Sequence, residues 1–208
     1  MRFKKILSVK HIKKLENREF KKRADSFSLM ISAGNESAKK IIKIIGRRSP
    51  IAIICGPGNN GGDGFIISDY LSSRNYKVDV FCFNKKNYKG DALKALKKVR
   101  IKTQHFSKFK SRKYLVLVDC VFGIGLNRKI SGYLKSLISE INKSKKIISI
   151  DIPSGIHGDT GKILGCAVRA GTTLALHAKK TGHTINSGKK YSGKITVVDI
   201  GISSEFNV

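Results

Sequence analysis

Ile51-Ala-Ile-Ile-Cys55, followed at once by Gly56-Pro-Gly-Asn-Asn-Gly-Gly-Asp-Gly64, decides how the rest of the chain is read. An unbroken apolar run bounded by turn residues reads as a strand buried on both faces. The nine residues after it hold five glycines, with Asn59, Asn60 and Asp63 among them. Glycine destabilises regular structure, so such a cluster between a strand and a helix needs a reason. Close approach of backbone N–H groups to a phosphate or nucleotide at a helix start supplies one.

Outward from this point the pattern alternates. Apolar residues at helical spacing predict two leading helices, from Ser8 to Phe20 and from Phe27 to about Ile45. After strand 51–55 the spacing predicts a helix over 63–73, a strand over 77–83, a helix over 91–99, a weak strand near 104–106 and a strand over 114–119. A helix over 132–143 and strands over 146–152, 172–176 and 194–200 follow, the last two joined by a Gly- and Lys-rich connection without helical period. Apolar strands alternating with amphipathic helices imply an α/β fold: a three-layer, Rossmann-like sandwich with a mainly parallel sheet and helices on both faces. At 208 residues, without repeat or Pro-rich linker, residues 1–208 read as a single domain. Three strands end in polar or glycine-rich turns, at 56–64, 119–128 and 151–155. Such ends carry ligands in open α/β sheets, so the three turns are expected to converge.

Composition narrows the class. No apolar stretch approaches the roughly 20 residues of a membrane helix, and the start lacks a signal-peptide core, so no membrane role and a cytoplasmic location are expected. Cys55, Cys82, Cys120 and Cys166 are widely spaced and read as small hydrophobes in a reducing compartment; neither they nor the five histidines show metal-ligand spacing. The net charge of +28 would attract nucleic acid. Its lysines are spread along the whole chain without an aromatic-basic pattern, and solvated surface charge is the plainer reading.

Gly56-Pro-Gly-Asn-Asn-Gly61 satisfies G-x-G-x-x-G, with Asp79 about 20 residues on, so a dinucleotide-dependent oxidoreductase is the first rival. Against it stand the two amides and a carboxylate in the loop, and the place of Asp79 within its strand instead of at its end. No Walker lysine follows the glycines, which removes the P-loop NTPases. Asn60, Asp119 and Ser154 offer oxygen only, as a hard cation prefers. Singly, residues such as Asp119 and Asp151 read as turn caps; together at converging strand ends these groups read as a site.

Ile54-Cys-Gly-Pro-Gly-Asn-Asn-Gly-Gly-Asp-Gly-Phe65, Val118-Asp-Cys-Val-Phe-Gly-Ile-Gly-Leu126, Ile150-Asp-Ile-Pro-Ser-Gly155 with Asp159-Thr-Gly161, and Ile195-Thr-Val-Val-Asp-Ile-Gly-Ile202 together resemble the YjeF N-terminal domain family, the NAD(P)HX epimerases. Leu7 to Leu15 and Leu29 to Gly34 resemble that family's leading helices. The resemblance implies interconversion of the R and S epimers of hydrated NADH or NADPH, as part of nicotinamide-nucleotide repair. It implies that Asn59, Asn60, Gly61, Gly62, Asp63, Gly123, Ile124, Gly125, Leu126, Asn127, Arg128, Lys129 and Asp151 bind the dinucleotide, and that Asn60, Asp119 and Ser154 hold K+. Asp151 is the candidate acid/base, with Asp63 in reserve. A separate NAD(P)HX dehydratase is the expected pathway partner and a homodimer the inherited assembly. The alternative is a non-catalytic, dimerising nucleotide- or RNA-binding module on the same fold, which would have no need of Asn60, Asp119, Asp151 and Ser154. Two departures stand out: Ile124 replaces a small polar residue, and Ala178-Lys-Lys-Thr-Gly182 keeps Lys180 but lacks the prolines that flank it in the family.

Overall fold

Ile51–Cys55 forms a strand, β1, in which every side chain is buried. The computed structural model describes residues 6–23, 25–46 and 49–202 and places β1 inside a seven-stranded sheet. The other strands are β2 (Val78–Cys82), β3 (Thr103–His105), β4 (Val116–Cys120), β5 (Lys146–Ile150), β6 (Thr172–Leu176) and β7 (Lys194–Val198). Their order is β3-β2-β1-β4-β5-β6-β7, and every neighbouring pair is parallel. The strand order reverses direction between β1 and β4. The crevice outside the carboxyl ends of those two strands is where an open α/β sheet receives its ligand.

Two helices, α1 (Val9–Arg23) and α2 (Ser26–Ile45), precede the sheet. Asp25 caps α2 by accepting hydrogen bonds from the Phe27 and Ser28 amides at 2.9 and 3.1 Å. Gly46, at φ +65°, ends it and donates its N–H back to the Ile42 carbonyl. α2 packs on α1 and on α3 (Asn59–Ser72), and α3 packs in turn on α4 (Gly90–Lys98). The crossovers β1-α3-β2 and β4-α5-β5, the latter through α5 (Tyr133–Ile141), advance in opposite directions along the sheet. Right-handed connections therefore put α3 and α5 on opposite faces, giving the three layers expected.

Two differences from the sequence reading have local causes. α3 begins at Asn59 and not at Asp63, so residues 59–62 are its first turn instead of a free loop. A Cβ on Gly61 would fall 1.8 Å from the Gly56 carbonyl oxygen, and it is this lack of a side chain that lets the helix start so close behind the strand. The connection before β7 holds a short helix, α6 (Asn186–Tyr191), too brief and too rich in Gly and Lys to carry a period. The beginning of the chain is tied to this same region: Ile6–Leu7 pairs in parallel with Lys179–Lys180.

The buried phenol of Tyr88 braces the strand ends. It donates to the Cys55 carbonyl at 2.8 Å and accepts from the Phe83 amide at 3.1 Å, satisfying two backbone groups where β1 and β2 stop.

Candidate active site

At the carboxyl ends of the strands lies a cavity of about 430 Å³, within the usual range for small-molecule sites. Its walls come from residues 57–60 and Asp63 at the start of α3, from residues 121–128 after β4, from Asp151 after β5 and from Leu176 on β6. Lys13 and Glu16 reach it from α1. The three predicted turns do converge.

Beneath the cavity Asp119 is fully buried on β4. Its Oδ1 accepts from the Ser154 hydroxyl at 2.6 Å and the Val121 amide at 3.2 Å; its Oδ2 accepts from the Ser149 hydroxyl at 2.7 Å and the Ser154 amide at 3.0 Å. Burial pushes the pKa of this carboxyl above its ordinary value, and the four hydrogen bonds oppose the rise without cancelling it. The Ser154 hydroxyl also accepts from the Phe122 amide at 2.8 Å, so this one side chain links the loop after β4 to the turn after β5.

Asp151 ends β5 with φ at +69°, a conformation that costs a non-glycine residue on the order of 1–3 kcal/mol and that concentrates at functional sites. Its Oδ2 accepts from the Ile124 amide at 2.9 Å. Its Oδ1 meets Lys180 Nζ at 2.5 Å, and that ammonium, fully buried, also donates to the Leu176 carbonyl at 2.8 Å. The Lys180 amide in turn donates to His183 Nδ1 at 2.9 Å. Burial first, and the Lys180 charge second, push the His183 imidazole down to about 4, so it is neutral beside the ion pair.

Three other groups complete the site. The side-chain amide of Asn60 is buried with neither its oxygen nor its nitrogen hydrogen-bonded among the described residues, an open valence facing the junction of the loops. Asp63 is buried, and desolvation, with the Asp151 and Glu16 charges adding to it, drives its carboxyl well above the ordinary range. Glu16 is pushed up to about 7 by burial and then by Asp151, against the pull of Lys180 and Lys13.

The other sequence candidates divide by position. Asn59, Gly123, Ile124, Gly125, Leu126, Asn127 and Arg128 line the cavity. Gly61 and Gly62 are buried within the first turn of α3, Gly62 against Met30, and Lys129 is exposed beyond the lining residues. A Cβ on Gly123 would fall 2.7 Å from Asp151 Oδ2 and 3.4 Å from Asn60, so glycine here is what lets the loop close over both. Asp79 accepts from the Tyr114 hydroxyl at 2.9 Å within the sheet and takes no part in the cavity, which removes the ribose-binding acid of the oxidoreductase rival. Sequence reading passed over Glu16, Lys13 and His183. For Glu16 a signal existed: it lies four residues beyond Ile12 and next to Leu15, both buried, hence at the edge of the inward face.

A family model described as YjeF-related protein N-terminus matches residues 26–182. The chain belongs to this family. Among relatives, the NAD(P)H-hydrate epimerase of Lentilactobacillus buchneri is 36% identical over 160 residues, covering 74% of this chain and 74% of its own. The bifunctional NAD(P)H-hydrate repair enzymes Nnr of Dictyoglomus turgidum and Thermofilum pendens are 41% and 37% identical over 164 and 186 residues. These alignments take in 74% and 81% of this chain, which spans 32% and 34% of those longer proteins. The crystal structure of the yeast protein ynu0 shares the fold, with a TM-score of 0.74 at 22% identity over 93% of this chain and 87% of that one.

Proposed function

We propose that the chain is an NAD(P)HX epimerase, an isomerase that interconverts the R and S epimers of hydrated NADH and NADPH. The observation that carries this reading is the single cavity in which the glycine-rich start of α3, the loop at 121–128 and Asp151 meet, in a chain 36% identical to an NAD(P)H-hydrate epimerase over three quarters of both proteins.

The positive end of the α3 dipole and its first-turn backbone suit the diphosphate of a dinucleotide. The loop at 123–128 encloses the remainder, and Asp151, fixed by Lys180 and the Ile124 amide, is the acid/base at the hydrated ring. Epimerisation needs no net redox change: the hydroxyl leaves the ring carbon and returns on the other face.

The residues fit a potassium ion. Asn60 offers a buried carbonyl oxygen without a partner among the described residues, Asp119 a buried carboxylate and Ser154 a hydroxyl, all hard oxygen donors. Bound there, K+ would supply fixed positive charge next to the nucleotide. The bifunctional relatives support a dehydratase acting in the same pathway. A homodimer is the assembly we favour, and a reducing, cytoplasmic setting suits the four free cysteines; among the described residues no helix is long and apolar enough to cross a membrane.

The test is direct. Purified protein is incubated with a single NADHX epimer, in potassium and in a potassium-free buffer, and the epimers are resolved by chromatography. Accelerated exchange, faster with potassium, supports the reading; exchange no faster than the uncatalysed rate in both buffers sinks it.

A further inference from the structure

Among the described residues three carboxyls face the cavity, and their surroundings differ. Both oxygens of Asp151 are engaged, one by Lys180 and one by the Ile124 amide. Asp63 is sealed in the wall at the start of α3. Glu16 arrives from a different element, half-buried on α1, and lines the cavity between the mouth and the core.

α1 is not a loosely attached helix. The strand pair Ile6–Leu7 with Lys179–Lys180 anchors the residues before it, and the Val9 amide donates to Asp159 Oδ1 at 2.7 Å. Ile12 and Leu15 are buried on the same side as Glu16. The segment that positions Glu16 is thus hydrogen-bonded to the segment that carries Lys180, the counter-ion of Asp151.

An epimerase acting through departure and return of a hydroxyl must handle protons on both faces of one ring, and a single fixed carboxyl serves one face. We propose that Glu16 is a second catalytic acid/base of the epimerisation, serving the face of the ring opposite to the one Asp151 serves. This rests on the epimerase reading above. In one direction Glu16 gives its proton to the hydroxyl and the carbon–oxygen bond breaks. Water departs with the bonding pair, and the positive charge left on the ring is shared with the ring nitrogen. Water then adds to the other face, the new carbon–oxygen bond forms, and the surplus proton passes to Asp151. The opposite epimer runs the same steps backwards, and the proton returns between the two carboxyls through solvent in the open cavity.

The electrostatics agree with the geometry. A carboxyl poised at about 7 presents both its forms at neutral pH, as proton shuttling requires. Among the described residues the charged groups around it are Lys13 on its own helix, Asp63, Asp91 (held by Ser26 and Lys94), Arg128 at the rim, Asp151 and Lys180. Glu16 also lies outside residues 26–182, the span that the family model matches.

The experiment compares the parent chain with Glu16→Gln and Glu16→Asp for NADHX epimer exchange above the uncatalysed rate across the neutral range, with NADPH affinity read from the fluorescence of the reduced nicotinamide. Glu16→Gln is expected to lower kcat on the order of 10²-fold or more, to leave NADPH affinity unchanged, and to abolish the fall in rate on the alkaline side of pH 7. Glu16→Asp, which keeps an ionising group at altered reach, is expected to retain part of the rate together with the alkaline fall, and it carries the test if the Gln variant does not fold. An active parent whose Glu16 variants keep its kcat and pH profile overturns this proposal alone; an inactive parent overturns the epimerase reading and this proposal with it.

Discussion

Lys180 Nζ stands 2.5 Å from Asp151 Oδ1 although the lysine is fully buried, and that ammonium also donates to the Leu176 carbonyl. Removing one partner of such a pair strands the other charge, at a cost of about 3–5 kcal/mol. Lys180→Met is therefore expected to lower stability by that order in urea unfolding and to stop epimer exchange. Asp151→Asn keeps the shape but strands the Lys180 charge in turn, so it is expected to lose stability by the same order and, in the folded protein, to lose exchange while retaining nucleotide binding. Full exchange in Asp151→Asn would remove Asp151 from the chemistry.

Glu16 and His183 give opposite slopes to stability against pH. Glu16 is raised from 4.5 to about 7 in the folded chain, so the fold binds its proton more tightly than the unfolded chain does. Its contribution is fully present below about 4.5 and is lost as pH rises to about 7. Glu16→Gln is accordingly expected to stabilise the protein above pH 7, by roughly 1–3 kcal/mol, with the gain over the parent shrinking towards pH 4.5. Thermal melts of both proteins at several pH values check this, and a Gln variant less stable than the parent at pH 8 contradicts it.

His183 is lowered from 6.5 to about 4. Here the unfolded chain takes up a proton first, so stability is complete above about 6.5 and drains away as pH falls towards 4. Replacement by Gln, which can accept from the Lys180 amide but does not titrate, is expected to flatten the acid limb of the melting curve. A limb of unchanged steepness assigns acid unfolding to other groups.

Asp119→Asn puts an NH2 donor where the carboxylate accepts from two hydroxyls and two amides. At least one buried donor then loses its partner, at about 1–3 kcal/mol. The expected result is a lower melting point together with loss of any response of exchange to potassium. Potassium-stimulated exchange that survives in a folded Asn variant removes Asp119 from the ion site.

Gly123→Ala places a methyl 2.7 Å from Asp151 Oδ2. Gly123 is not among the positive-φ residues, so the backbone tolerates alanine and the clash falls on the carboxylate. A loss of kcat on the order of 10²-fold, the scale expected of a misplaced catalytic group, should come with little change in melting temperature. Unimpaired turnover would show that Asp151 has room to shift.

The sheet was legible because most of its strands are rich in apolar and β-branched residues: Ile51–Cys55 and Thr172–Leu176 could be bounded to the residue from the letters alone. The convergence of three turns followed from topology, since parallel strands deliver all their carboxyl ends to one edge. What stayed hidden depended on contacts across long separations. Glu16 sits in a helix crowded with lysines; its spacing from Ile12 and Leu15 places it at the edge of the inward face, but that this edge meets the cavity is a matter of tertiary packing. Lys180 was noted as a retained lysine, yet its burial against Asp151 has no local signature. The start of α3 was set too late because Asn-Asn-Gly-Gly scores poorly as helix, and only packing against the end of β1 overrides that preference.

The pairing of Ile6–Leu7 with Lys179–Lys180 bears on how the site assembles during folding. Glu16 and Lys180 are far apart in sequence, and the inward face of α1 joins the ion pair and the neutral imidazole only when their two segments meet. Closing so long a stretch of chain is entropically costly, so this junction is expected to form late in refolding, after the glycine-rich turn and the strands beside it.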